Sequence, residues 1–342
     1  MSRRPTRSAR LLLLAVAASS LATGDAWGWG ATGHRLISRV AMESLPEDVP
    51  AFLRTPEVGE QMGELGREAD RSKGAGRMHD AERDPGHFVN LADDATVAGS
   101  LTLDALPATR EAYDTALRAA GFDQYQVGYL PYALGDGWLQ LKQDFAYWRA
   151  DAAGVRLAAS AGGRAWFARD RQLRELLILR DLGYWSHFVG DASQPLHVSI
   201  HHSGWGNYPN PEGFSTASSL HGYVEGAFVR RVITRADVAD KLPAYRDCGC
   251  GIEARIAAYL RSTQAAVVPL YALEKAGGFA GDDLRGKAFI AERLAAGAAE
   301  LRDMVVDAWR QSLDGVVGYP PVPVREVEAG KLVPSDQMLG LD

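Results

Sequence analysis

One segment constrains the fold more than any other. Residues 164–192 contain ARDRQLRELLILRDLGYWSHFVGDA and run without proline until Pro195. The first half is amphipathic at helical spacing and the second half is apolar, which predicts a helix roughly 40 Å long at about 1.5 Å per residue. An apolar helix end of that kind must be covered by other helices. The rest of the chain supplies them. Residues 31–45 place Leu36, Ile37, Val40 and Ala41 at helical spacing and stop before Pro46. Residues 107–121 open on Pro107 and close on Gly121, the usual asymmetry of helix ends. Residues 131–149, 216–235, 250–272 and 285–315 have the same texture, and alternating β patterns are scarce. The expected fold is all-α, a single compact multi-helix domain over residues 29–318. Two long polar loops, 71–86 and 198–215, interrupt it. The tail, residues 319–342, has three prolines in its first five residues and reads as an extended strap or a mobile end.

Composition narrows the class. Hydrophobic residues are 46% and charged residues 23% of the 342, which supports a sizeable core and excludes a fibre, a disordered chain and a polytopic membrane protein. The N-terminus reads MSRRPTRSAR, then LLLLAVAASSLA, then TGDAWG. A basic start, a short apolar run and a small-residue exit predict a signal peptide over residues 1–28, with Ala26 and Gly28 preceding the cut. The apolar run is too short to span a bilayer. An uncleaved anchor, or cleavage before Trp27, are the alternatives. The protein is therefore expected to be exported, to periplasm or medium. Without residues 1–28 it has 33 basic and 42 acidic residues, a net of −9. Such a protein holds no nucleic acid by a broad basic surface, so an anionic substrate needs a local positive site. The only cysteines, Cys248 and Cys250, are a local turn staple or a chemical pair. They make neither a disulfide framework nor, alone, a metal site.

The eight histidines are unevenly spread. His187 and Asp191 lie four apart on the long helix and share a face. Pro195 then breaks the helix and swings His197 back toward its end. His221 and Glu225 repeat the spacing on the next helical stretch. Imidazole with carboxylate suits zinc and other divalent ions. Upstream, His34, Asp70 and His87 are further candidates, whereas His79, His201 and His202 read as loop residues.

WGATGH, HFVNLADD, WSHFVGDASQPLH and SSLHGYVEG, in this order, resemble the zinc-dependent single-strand nucleases of the S-one/P-one type. Their superfamily also contains bacterial zinc phospholipase C. The resemblance covers roughly residues 29–230 and implies a helical fold with three zinc ions at the base of a cleft. It implies that Asp70, His87, His187 and Asp191 hold one zinc, and that His197, His221 and Glu225 hold a second. The amine and carbonyl of Trp29, with His34 and a bridging Asp191, hold the third. A terminal amine and its own carbonyl form a five-membered chelate, which requires cleavage before Trp29. Asp70 is then the expected proton acceptor and Lys73 a neutraliser of phosphate charge. Phe88, Asn90 and Asn207 are the expected substrate contacts. Asn90 stands where the nucleases have an acid, and Glu225 where they usually have aspartate. The implied activity is hydrolysis of single-stranded DNA or RNA and of 3′-nucleotides. Phospholipid head-group hydrolysis and zinc binding without turnover are the alternatives. Nothing in the sequence signals an obligate protein partner.

Overall fold

The structure is a computed structural model and describes residues 29–340. The expected export segment, residues 1–28, lies outside the described residues. Along the chain the helices are α1 (Gly30–Glu43), α2 (Pro56–Leu65), α3 (Glu68–Arg71), α4 (Arg77–Arg83), α5 (Arg110–Ala119), α6 (Gln124–Val127), α7 (Leu130–Leu157) and α8 (Ala161–Asp191). They continue as α9 (Ser219–Gly222), α10 (Val229–Val232), α11 (Arg235–Ala239), α12 (Ile252–Gln264), α13 (Val267–Lys275), α14 (Leu284–Gln311) and α15 (Val324–Glu328). Strand structure among the described residues is two antiparallel pairs: β1 (Thr96–Val97) with β2 (Leu101–Thr102), and β3 (Val316–Val317) with β4 (Val322–Pro323). The all-α expectation therefore holds at the level of fold class. No described helix is long and apolar enough to cross a membrane.

The long segment forms as its sequence requires. The Ser160 hydroxyl accepts the Gly163 N–H and starts α8, while Pro131 fits the first turn of α7. α7 and α8 pack as an antiparallel hairpin held closely by two glycines. A Cβ on Gly137 would lie 2.1 Å from the Trp185 ring, and one on Gly154 would lie 2.3 Å from the Phe167 ring. The Trp185 indole also donates to the Leu134 carbonyl at 3.0 Å. α14 packs against α1, α7 and α8, burying Leu294, Ala298, Leu301, Met304 and Val305. This arrangement fixes the C-terminal end of α8, where the candidate site lies.

Three elements depart from their expected form. The polar stretch 71–86 contains α4, which buries no residue and so shows no apolar period. The single helix expected over 216–235 is interrupted by a π-helical turn, Tyr223–Phe228, and ends before α11. The stretch 250–272 divides into α12 and α13 at Ala265–Ala266. The tail is a strap. Val324 and Val327, with Val317 just before the tail, pack on Ala146, Ala150 and Ala153 of α7. Arg149 clamps it, bonding the Ser312 hydroxyl, the Trp309 carbonyl and the Glu328 carboxylate at 2.8, 3.0 and 2.7 Å.

Asp151 is fully buried between α7 and α8, with both carboxylate oxygens lacking a hydrogen-bond partner. Burial, reinforced by Asp170, pushes its carboxyl up to about 8 against the pull of Arg174 and Arg171. The folded protein thus keeps a proton that the unfolded chain releases near pH 3.8, and stability falls as pH rises from there to about 8. Asp151→Asn removes that fall. The urea midpoint of the variant should exceed that of the parent at pH 9, with the difference closing toward pH 5.

Candidate metal centre

Six chain segments converge at the end of α8. The last turn of α8 places His187 and Asp191 on one face, with His187 Nε2 3.3 Å from Asp191 Oδ2. The helix stops before Pro195, and the Gln194 side chain caps a 3-10 turn, Pro195–His197, that returns His197 to the cluster. A second 3-10 turn, Asp84–His87, carries Pro85 in its first positions and delivers His87. α3 brings Asp70, and α1 brings His34. His221 comes from α9 and Glu225 from the π turn, where i→i+5 bonding widens the helix. Their side chains still meet, His221 Nε2 lying 2.8 Å from Glu225 Oε2.

The potential ligands form three buried groups, each with its ligand atoms within 4.8 Å of one another: Asp70, His87 and His187; His34, His187 and Asp191; His197, His221 and Glu225. Asp191 joins all three. Its Oδ2 lies 3.0 Å from His87 Nδ1, and its Oδ1 lies 3.4 Å from His34 Nε2 and 3.7 Å from His197 Nδ1. The His34 and His187 rings stack at 3.7 Å.

The surroundings orient the imidazoles. His187 Nδ1 donates to the Gly66 carbonyl at 2.8 Å, and His197 Nδ1 donates to the His87 carbonyl at 2.7 Å. A ring nitrogen that donates to a carbonyl carries the proton, so Nε2 of each ring turns a lone pair toward the acids. Gly66 permits this approach, because a Cβ there would lie 2.4 Å from the Ser38 hydroxyl.

The donor atoms fit a cation. His34 Nδ1 and Nε2, Asp191 Oδ1, His197 Nε2, both His221 ring nitrogens and Glu225 Oε2 are buried without a hydrogen-bond partner. Orphaned polar atoms are costly in a protein interior, and a shared cation would satisfy this group of them together. Nitrogen and oxygen donors in this mixture suit a divalent transition ion. The protonation pattern agrees. Burial pushes His87 and His221 down to about 4, which favours the neutral, ligand-competent ring. Burial and the neighbouring His187 also lower His34. Burial alone would raise Asp191 and Asp70, but the surrounding imidazoles, with Lys73 for Asp70, hold both below the ordinary carboxylate value. Glu225 is pushed up to about 8 by burial, only partly offset by His197, so a cation there displaces a proton at neutral pH.

The remaining expected residues fall in different surroundings. Trp29 is fully buried; its indole donates to the Ser193 hydroxyl at 2.6 Å and its carbonyl accepts the Gly33 N–H. Gly30, at φ +56, follows it against the Glu225 carbonyl, 3.2 Å from where a Cβ would sit. Lys73 Nζ lies 2.8 Å from Asp70 Oδ1, and this carboxylate raises the ammonium above its ordinary value despite burial. Phe88 is half-buried, its ring resting on Gly128, where φ is +82 and a Cβ would lie 2.6 Å from Phe88 Cδ2. Asn90 Nδ2 donates to the Gln126 carbonyl at 2.8 Å, so one end of its amide braces a turn. Asn207 is exposed on the 198–215 loop. His201 is a buried loop staple between Asp93 and the Trp205 carbonyl, and His79 pairs with Asp80. His202 stands nearer the site than its loop setting suggested. Partial enclosure, with His221 and His197 close by, holds its imidazole below the ordinary value. The doubled histidine in a Gly-rich loop was the one available signal.

A cleft of about 1220 Å³ is lined by Ser72, Tyr129 and Phe188 among others and by none of the histidine–acid ligands; Phe188 connects the two. The Phe188 ring lies 5.1 Å from the His87 ring. No protein-family model, no curated protein and no solved structure matches this chain.

Because the two oxygens of Asp191 serve different groups, Asp191→Asn should lower bound metal more than His221→Ala does. Elemental analysis of the two purified variants, with circular dichroism as a check of folding, reads the difference.

Proposed function

We propose that this is an exported zinc-dependent phosphodiesterase of the single-strand nuclease type, acting on single-stranded DNA or RNA and on 3′-nucleotides. The observation that carries the reading is the joining of three buried histidine–acid groups through His187 and Asp191. The order of WGATGH, HFVNLADD, WSHFVGDASQPLH and SSLHGYVEG supports it. Asp70, His87 and His187, then His197, His221 and Glu225, then His34 and Asp191 with the Trp29 amine and carbonyl, would hold the zinc. When bound, zinc supplies Lewis acidity toward phosphoryl oxygens and acidifies water.

The chain's own groups divide the remaining work. Asp70, kept ionised, accepts the proton of the attacking water. Lys73, beside it and charged at neutral pH, faces the negative charge that grows on the phosphoryl oxygens. Phe88 offers a ring face to a base, and its replacement by alanine should weaken binding by about 1–3 kcal/mol. Trp29 holds the mature amino terminus in place through its indole.

Phospholipase C-type hydrolysis of phospholipid head groups is the second reading. It is favoured by glutamate at position 225 and by apolar lining of the cleft at Leu103, Leu106 and Ile256. Zinc-loaded and chelator-treated protein should be assayed on single-stranded DNA, single-stranded RNA and phosphatidylcholine. Zinc-dependent hydrolysis of nucleic acid well above that of phosphatidylcholine is expected. The reverse order selects the second reading, and a metal-loaded protein inert toward all three overturns both. A mature chain bearing one extra methionine before Trp29 should lose metal and most activity. Full metal content and activity in that chain would remove Trp29 from the site.

A further inference from the structure

We propose that Cys248-Gly249-Cys250 is a second, redox-active site: an exposed disulfide that takes two electrons from a dithiol on another polypeptide. The two sulfurs are bonded across a single intervening residue. A disulfide stabilises chiefly by restricting the unfolded chain, and closing so short a loop restricts it very little. The bond also joins no separate elements, since both cysteines lie in the irregular segment between α11 and α12. It therefore contributes little as a staple.

Its setting suits exchange. Cys250 and Gly249 are exposed, while Cys248 is half-buried, so an incoming thiolate reaches the Cys250 sulfur first. The leaving sulfur is then Cys248 Sγ, which already accepts the Cys250 backbone N–H at 3.2 Å. A donor N–H at that atom stabilises the thiolate that forms. Gly249, at φ +59, makes the tight turn, and its N–H is held by Asp247 at 2.8 Å. The preceding residues are anchored to α14. Tyr245 Oη donates to Asp307 at 2.7 Å and the Arg246 N–H donates to Asp303 at 3.2 Å. The ring is thus displayed on a fixed base, separate from the histidine–acid groups in composition and chemistry.

The exchange balances. One thiolate of the partner attacks Cys250 Sγ, the Cys248–Cys250 bond breaks, and Cys248 leaves as a thiolate and takes up a proton. The partner's second thiolate attacks its own sulfur in the mixed disulfide. The partner's disulfide forms, and Cys250 leaves and is protonated in turn. The partner is oxidised by two electrons and this chain is reduced by two. Glutathione disulfide restores the starting state.

The test uses the full mature protein with its metal. In a glutathione redox buffer it is mixed with reduced, unfolded lysozyme, and recovered lysozyme activity is followed. Alkylation and mass spectrometry read the state of Cys248 and Cys250. A severalfold faster recovery than with the Cys248→Ser/Cys250→Ser variant, with both cysteines becoming alkylated as reduced glutathione rises, is expected. The variant should keep its thermal midpoint and metal content. A disulfide that stays closed in excess reduced glutathione while the protein remains folded overturns the proposal. So does recovery no faster than with the variant, or a large drop in the variant's thermal midpoint, which marks a staple.

Discussion

The carboxylate of Asp191 is the point on which the site depends. It is fully buried, and burial alone would favour its neutral form. Imidazoles reverse that preference, His187 of the same helix and His197 contributing most and His34 adding to them. The same groups in turn have few other partners, and several of their ring nitrogens have none. Such a set needs partners for its unpaired atoms, and a bound cation would supply them. The rest of the fold holds the carboxylate at this depth. α8 is long because it must reach from the hairpin turn to the cluster, and α7, α1 and α14 bury its apolar end. The glycines of α7 let the hairpin close tightly enough to fix that reach.

How much of this was visible in the sequence follows from what each residue faces. α1 and α14 are periodic because they bury one side, and α7 and α8 are legible from their length, with Pro131 and Ser160 marking their starts. α4 is invisible to the same reasoning, because it buries no residue. The π turn is also hidden. Its residues are ordinary helix formers, and only the packing of Gly30 against the Glu225 carbonyl indicates the altered path. In the site, the His187–Asp191 and His221–Glu225 pairs are legible because four-residue spacing has one geometric meaning on a helix. The orienting carbonyls of Gly66 and His87 are not, since any residue can offer a carbonyl. Asn90 illustrates a further limit. Its side chain is polar and close to the motif, yet its amide N–H is taken up by the Gln126 carbonyl. Sequence position shows that a polar group is near a site but not which way it is turned.

The span of chain that must come together has its own consequence. The Trp29 indole meets Ser193, and the next residue, Gly30, meets Glu225, so contacts remote in sequence close the cluster at its far side. Topologies dominated by such remote contacts form slowly, because each closure costs chain entropy before any contact rewards it. The helical hairpin, built from near neighbours, can form early. The cluster of acids and imidazoles rests on contacts up to 195 residues apart (Gly30 to Glu225), and by that rule it closes late. A nascent chain therefore passes through a period in which its most polar interior is still open to water, and uptake of a cation during that period would close the molecule around it.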